Sequence, residues 1–284
     1  MRNYLAAFLA CGFLFADTSR IAEAVREAGD YYRQGKHAEA EKATAEALSL
    51  IDGRRGSPDF EVADCLNTLG ALVYSLGDLE RAGQLFQRSR QAYQALVAPD
   101  DPRLAVTLYN LAGVLVEKGR YPQAVALYRN ALEIREKTLG AGSPLVAEVW
   151  NDLGFVSLRK GNFKEAETWL EKALAVWEKS AGSQAYAAVA MNNLALLRKL
   201  EGSSDKAENL YKQALAIEEK AFGREHPEVA TTLMSLAALY RTQAKREQAV
   251  AMYKSAVALL EKTVGAQDPL AIEAREQLSG LMAP

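Results

Sequence analysis

A glycine recurs along this chain at an almost constant interval: Gly35, Gly77, Gly119, Gly161 and Gly202, with Ala244 continuing the series, in steps of 42, 42, 42, 41 and 42 residues. Five positions after each comes alanine, at Ala40, Ala82, Ala124, Ala166, Ala207 and Ala249. Seven positions before each stands another small residue, Ala28, Gly70, Ala112, Gly154, Ala195 or Ala237. A third small set, Ala47, Ser89, Ala131, Ala173, Ala214 and Ala256, follows further on. Between the second and third sets a bulky side chain is fixed, Phe86, Tyr128, Leu170, Tyr211 or Tyr253, with Thr44 the weak member. A register held at this many positions restricts the fold to a stack of copies of one supersecondary unit.

The unit is clearest between Ala105 and Val146. Leu108, Leu111, Ala112 and Leu115 fall at i, i+3, i+4 and i+7, which places them on one face of a helix. Ala124, Leu127, Tyr128, Ala131 and Leu132 repeat that pattern after Gly119, and Tyr121-Pro122 sits where a helix N-terminus misses no amide donor. The pattern predicts a helix, a tight turn and an antiparallel helix. The paired small positions let the two axes approach closely at their crossing.

These residues carry a family resemblance. The chain resembles a tetratricopeptide-repeat protein, and its long unit is similar to the kinesin-light-chain variety of that repeat. The loops that carry this likeness are Leu139-Gly-Ala-Gly-Ser-Pro144, Phe222-Gly-Arg-Glu-His-Pro227 and Val264-Gly-Ala-Gln-Asp-Pro269, with Ala98-Pro-Asp-Asp-Pro102 a degenerate version. The first unit departs with Pro58 out of register, and the fourth has Gly182-Ser-Gln-Ala-Tyr186 without the proline. The resemblance implies an all-α fold: a right-handed superhelical solenoid of antiparallel helix pairs. Six repeats are expected at about 21–61, 62–104, 105–146, 147–186, 187–229 and 230–269, with a solvating cap helix at 270–281 built around Ile272, Ala274 and Leu278, all in one solenoid over 21–284. Second helices are expected to end at Gly56, Gly140, Gly182, Gly223 and Gly265.

Charge and cysteine usage narrow the function classes. With 34 basic and 36 acidic residues well mixed, the formal charge of −2 leaves no basic field for nucleic acid. Cys11 and Cys65 are too few and too far apart for a disulfide framework or a thiolate metal site. Residues 1–16, MRNYLAAFLACGFLFA, combine a positive start, a short apolar core and a small residue before Asp17. That is the pattern of a signal peptide, and the run is shorter than the roughly 20 residues a spanning helix needs. Export, to the periplasm or beyond, is therefore expected; the alternative is a cytoplasmic chain whose apolar start caps the stack. A lipid at Cys11, within Phe8-Leu9-Ala10-Cys11, would be the chain's one route to a membrane.

No catalytic pattern emerges. His37 and His226 are isolated from any nucleophile or ligand set and read as structural, and no phosphate cradle or cofactor motif is present. Glu165-Ala-Glu167 and Glu218-Glu-Lys220 read as solvated outer faces, Ser203, Ser204 and Asp205 as N-cap candidates, and Trp150 as core. The resemblance implies that first helices line a concave groove. Carried over position by position, it assigns Asn67, Tyr109, Asn110, Asn151, Asp152, Asn192 and Asn193 to the central slots, with Arg159, Lys199 and Arg241 flanking. An amide offers donor and acceptor and can grip a peptide backbone of any sequence, or else brace neighbouring helices. The expected function is a non-catalytic scaffold holding a peptide or partner protein of mixed charge, with no cofactor, metal or nucleic acid. Alternatives are an accessory subunit of a separate enzyme or export assembly, or a structural solenoid that self-associates through Trp169, Trp177 and Tyr93.

Overall fold

The computed structural model describes residues 19–54 and 59–282, and these form thirteen α-helices with no strand among them. The leader and its Cys11, together with Gly56 and Pro58, lie outside the described residues. Two structural units divide at Gly140/Ala141. The first holds three helix pairs: α1 (Arg20–Arg33) with α2 (His37–Gly53), α3 (Phe60–Ser75) with α4 (Leu79–Leu96), and α5 (Pro102–Glu117) with α6 (Tyr121–Leu139). The second holds α7 (Pro144–Arg159) with α8 (Phe163–Lys179), α9 (Gln184–Leu200) with α10 (Ser204–Phe222), α11 (Pro227–Thr242) with α12 (Arg246–Thr263), and then α13 (Pro269–Met282). Within each unit a second helix packs both on its own first helix and on the first helix of the next pair.

Helix ends follow local chemistry. Pro102, Pro144 and Pro227 open first helices, after caps in which Asp101, Ser143 and His226 accept from a backbone N–H. Asp59 caps α3 in the same way, its Oδ1 accepting from Val62 N at 3.0 Å. Turn residues adopt the left-handed conformation, Gly119 at φ 70° and, without glycine's freedom, Ala244 at φ 57°. That conformation costs an alanine roughly 1 kcal/mol, so packing of α11 on α12 holds the last turn closed.

The close crossing is measurable. A Cβ added at Gly154 would stand 2.7 Å from Leu170 Cγ and 3.3 Å from the Ala166 carbonyl, and one at Gly70 would stand 2.8 Å from the Phe86 ring. Glycine is thus needed wherever the opposing knob is Phe86 or Leu170. Ala112 and Ala195 occupy the same position opposite Tyr128 and Tyr211, and all of these side chains are buried.

Three sequence expectations are corrected. In α13 the buried residues are Ala271 and Ala274, in the register of Val229 and Thr232, while Ile272 is 37% exposed. The cap therefore occupies the place of a further first helix and presents Ile272 outward. α2, α8 and α12 end before the expected Gly56, Gly182 and Gly265, with Arg54, Ser180 and Val264 as their C-caps. At α10, Ser203 is the N-cap residue by position, but its side chain makes no cap hydrogen bond.

Ala166→Leu is expected to lower stability by about 1–3 kcal/mol, because a branched side chain there meets the Gly154 backbone. Thermal unfolding of the full chain checks it; an unchanged melting temperature would contradict the proposed crossing.

Candidate binding surface on the first helices

The assigned amides are bonded to one another across successive first helices. In the first unit Asn110 Nδ2 donates to Asn67 Oδ1 at 3.2 Å, and Thr107 Oγ1 donates to the same oxygen at 3.2 Å. In the second, Asn193 Nδ2 donates to Asn151 Oδ1 at 2.9 Å, and Asn151 Nδ2 donates to Asp152 Oδ1 at 3.2 Å. Asn110 and Asn151 are buried, whereas Asn67, Asp152 and Asn193 are half-buried and keep contact with solvent. The amides therefore do brace neighbouring helices, and Asn67 and Asn193 retain further hydrogen-bonding capacity.

Asn192 is turned to a different task. Its Nδ2 donates to Glu218 Oε1 at 3.0 Å and to Thr232 Oγ1 at 2.7 Å, and Thr232 Oγ1 bonds the same carboxylate oxygen at 3.0 Å. Glu218 is only 2% exposed, which corrects the reading of Glu218-Glu-Lys220 as a solvated run. Removal from water, with Glu228 nearby, raises its pKa from 4.5 to about 7, against smaller opposing effects from the Thr232 and Asn192 bonds. Its Oε2 is buried without a protein partner.

Glu218 belongs to a slot that sequence reasoning missed. Counting 16 residues from each turn position gives Ile51, Tyr93, Arg135, Trp177, Glu218 and Leu260, and all six are buried. Each makes the contact its chemistry allows. The Tyr93 hydroxyl donates to Asp64, and burial raises its pKa. The Arg135 guanidinium lies over the Tyr109 ring at 4.6 Å. Trp177 Nε1 donates to the Pro144 carbonyl at 3.3 Å, and its ring lies 5.8 Å from that of Tyr186. Self-association through Trp177 and Tyr93 is excluded by their exposures of 1% and 2%. A constant interval from the turn was the available signal, but the residue types in the slot share no property except burial.

The second unit also carries the flanking cations Lys199, Arg241 and Arg159. Lys199 and Arg241 occupy the same register position on α9 and α11, and burial, then the neighbouring Arg241 charge, lowers the Lys199 pKa. Arg241 Nη1 donates to Gln277 Oε1, and Arg159 is exposed at the end of α7. His226 is structural: Nδ1 accepts from Glu228 N at 3.3 Å and the ring stacks on Phe222 at 4.5 Å. Cys65 is fully buried, which pushes its thiol up to about 12 and leaves it unreactive. Among the described residues no group of three or more His, Cys, Asp and Glu is placed to hold a metal ion, and no helix is long and apolar enough to cross a membrane.

The tetratricopeptide-repeat profile matches residues 17–95, 64–137, 103–179, 145–220 and 186–262. The chain belongs to the tetratricopeptide-repeat family. Its solved structural neighbours include the TPR-like repeats described as a putative kinesin light chain of Podosopora anserina, with 22% identity over 70% of this chain and 95% of that one and a TM-score of 0.53. A thermophilic TPR protein of Thermus thermophilus shares 25% identity over 76% of this chain and 99% of that one, with a TM-score of 0.55. The apo form of RapI is similar over 92% of this chain and all of its own length, at 14% identity and a TM-score of 0.65, a likeness of fold alone. No curated protein matches the sequence.

The buried acid gives this TPR chain a testable pH dependence. Because the folded pKa of Glu218 is raised, its favourable effect is complete below 4.5 and is lost as pH rises to about 7. Glu218→Gln keeps an oxygen acceptor for Asn192 and Thr232 without ionising. Between pH 5 and 8, urea unfolding is expected to show wild type losing on the order of 2–3 kcal/mol relative to this variant. Parallel stability profiles for the two would contradict a buried, protonatable Glu218.

Proposed function

We propose that this chain is a non-catalytic scaffold that holds a polypeptide against its first helices. Proteins built of tetratricopeptide repeats typically serve as protein–protein interaction scaffolds and are generally not catalysts. The observation that carries the reading is half-buried Asn193, bonded to Asn151, on a helix that also carries Lys199 beside the Arg241 charge. Asn193 spends one N–H on Asn151, which leaves its other N–H and its carbonyl for a ligand backbone. Lys199 and Arg241 stand beside one another with like charge, an arrangement that an acidic group on the ligand relieves. The ligand is thus a polypeptide whose backbone meets the amides and whose carboxylates lie over Lys199 and Arg241. Of the first unit's Asn67, Tyr109 and Asn110, Asn67 alone is half-buried, while Tyr109, under the Arg135 guanidinium, and Asn110 are buried.

The test is Asn151→Ala combined with Asn193→Ala. Replacing both partners of one hydrogen bond leaves neither orphaned, so the melting temperature is expected to stay close to wild type. Affinity for the polypeptide recovered by affinity capture, measured by calorimetry, is expected to fall roughly five- to a hundred-fold, and wild-type binding should weaken as salt rises. Undiminished affinity in a folded double variant would move the site away from the first helices.

The place of action in this proposal is outside the cytoplasm, on the strength of the leader's composition. Protein from the native host is expected to lack Met1 to about Ala16 by intact-mass measurement. A full-length mass from the cytoplasmic fraction would refute export; a mass gain at Cys11 would identify lipoprotein processing instead.

A further inference from the structure

The first unit contains a cavity of about 410 Å³ bounded by α4, α5 and α6. Its apolar wall is Leu104, Leu108, Leu127 and Ile134. Leu108 and Asn110 are two residues apart on α5 and so point to nearly opposite sides, which separates this cavity from the amide surface. The repeat register explains why space exists here. Arg90 stands where the other units have Leu48, Leu132, Leu174, Leu215 and Val257. In the second unit the corresponding site is a packed apolar cluster in which Leu174 meets Met191, Leu210 and Ile217, the counterparts of Leu108, Leu127 and Ile134. Exchanging that leucine for arginine removes the branched group that fills the site and puts a permanent charge at its edge.

That charge has no ion-pair partner among the described residues. Arg90 Nε is buried without a hydrogen-bond partner. A half-buried guanidinium with an orphaned donor is costly unless something else pairs with it. Of the other charged groups lining the cavity, Lys137 pairs with Asp100 and also feels the Glu133 charge. Glu133 is exposed at the mouth, and it too breaks the register, standing where other units have Ser49, Gln91, Ala175, Ala216 and Ala258.

We infer that this cavity is a binding site for a monocarboxylate with an apolar body, the carboxylate pairing with Arg90 and the body lying against Leu104, Leu108, Leu127 and Ile134. A guanidinium presents parallel N–H donors that match a carboxylate, and the volume falls within the range of small-molecule pockets. Glu133 at the mouth repels a second carboxylate, which selects against diacids. The ligand's source is either a free aliphatic acid or the C-terminal residue of a peptide ending in an apolar side chain.

Octanoate represents the first source and N-acetyl-alanyl-leucine the second, with octylamine as the control for charge sign, all titrated by NMR into the full chain. Octanoate or the dipeptide is expected to shift resonances of α4–α6, and the tighter of the two identifies the source. Arg90→Leu restores the residue type of the other repeats, so it should fold at least as well as wild type while losing at least about tenfold in carboxylate affinity. Glu133→Ala, likewise a return to the repeat pattern, is expected to keep octanoate binding. The inference is overturned if neither carboxylate binds at millimolar concentration, if octylamine binds as well as octanoate, or if folded Arg90→Leu retains wild-type affinity.

Discussion

Close approach of two helices within each pair is the constraint on which the other features rest. Ala166 against Gly154 sets the separation, and at that separation Leu170 lies against bare backbone. Once the axes are this near, second-helix side chains reach past their own partner to the next first helix, as Glu218 does to Thr232. Van der Waals packing at close range therefore governs the polar chemistry as well as the apolar core.

The two kinds of position in the repeat behave oppositely. Small residues at the crossing vary only between alanine and glycine, because the available space admits nothing else. The buried slot near the end of each second helix accepts Ile51, Tyr93, Arg135, Trp177, Glu218 or Leu260. Each polar member is tolerated because a matching group stands opposite: Asp64 for Tyr93, the Tyr109 ring for Arg135, the Pro144 carbonyl for Trp177, and Asn192 with Thr232 for Glu218. At Arg90, in another slot, no group among the described residues bonds the buried Nε.

The period made the helix pairs, the turns and the close crossings legible from sequence, since each depends on residues a fixed distance apart in one unit. The amide row was legible as a set of positions, but its hydrogen bonds were not. Asn193 meets Asn151, one slot diagonal to its own counterpart Asp152, and that offset depends on how consecutive first helices slide against each other. Glu218 was misread because a glutamate beside Glu219 and Lys220 looks solvated; its burial comes from Asn192 and Thr232, which lie 26 and 14 residues away. In α13, Ile272 looked like core and Ala271 did not, since only register against Val229 shows which face is covered.

The variable slot also bears on how such a chain can change length. Segments built on one repeat pattern can be exchanged by unequal recombination, which would delete or duplicate a whole unit without breaking the helix pattern. Excising the unit that begins at Ala230 would bring α13 up against α10, and Ala274, the register counterpart of Thr232, has no hydroxyl to offer Glu218. A buried carboxylate would lose one of its two partners although every helix, turn and crossing remained in place. The slot thus acts as an order mark: it makes outwardly equivalent repeats non-interchangeable and penalises a rearranged gene through desolvation rather than through misfolding of any single unit.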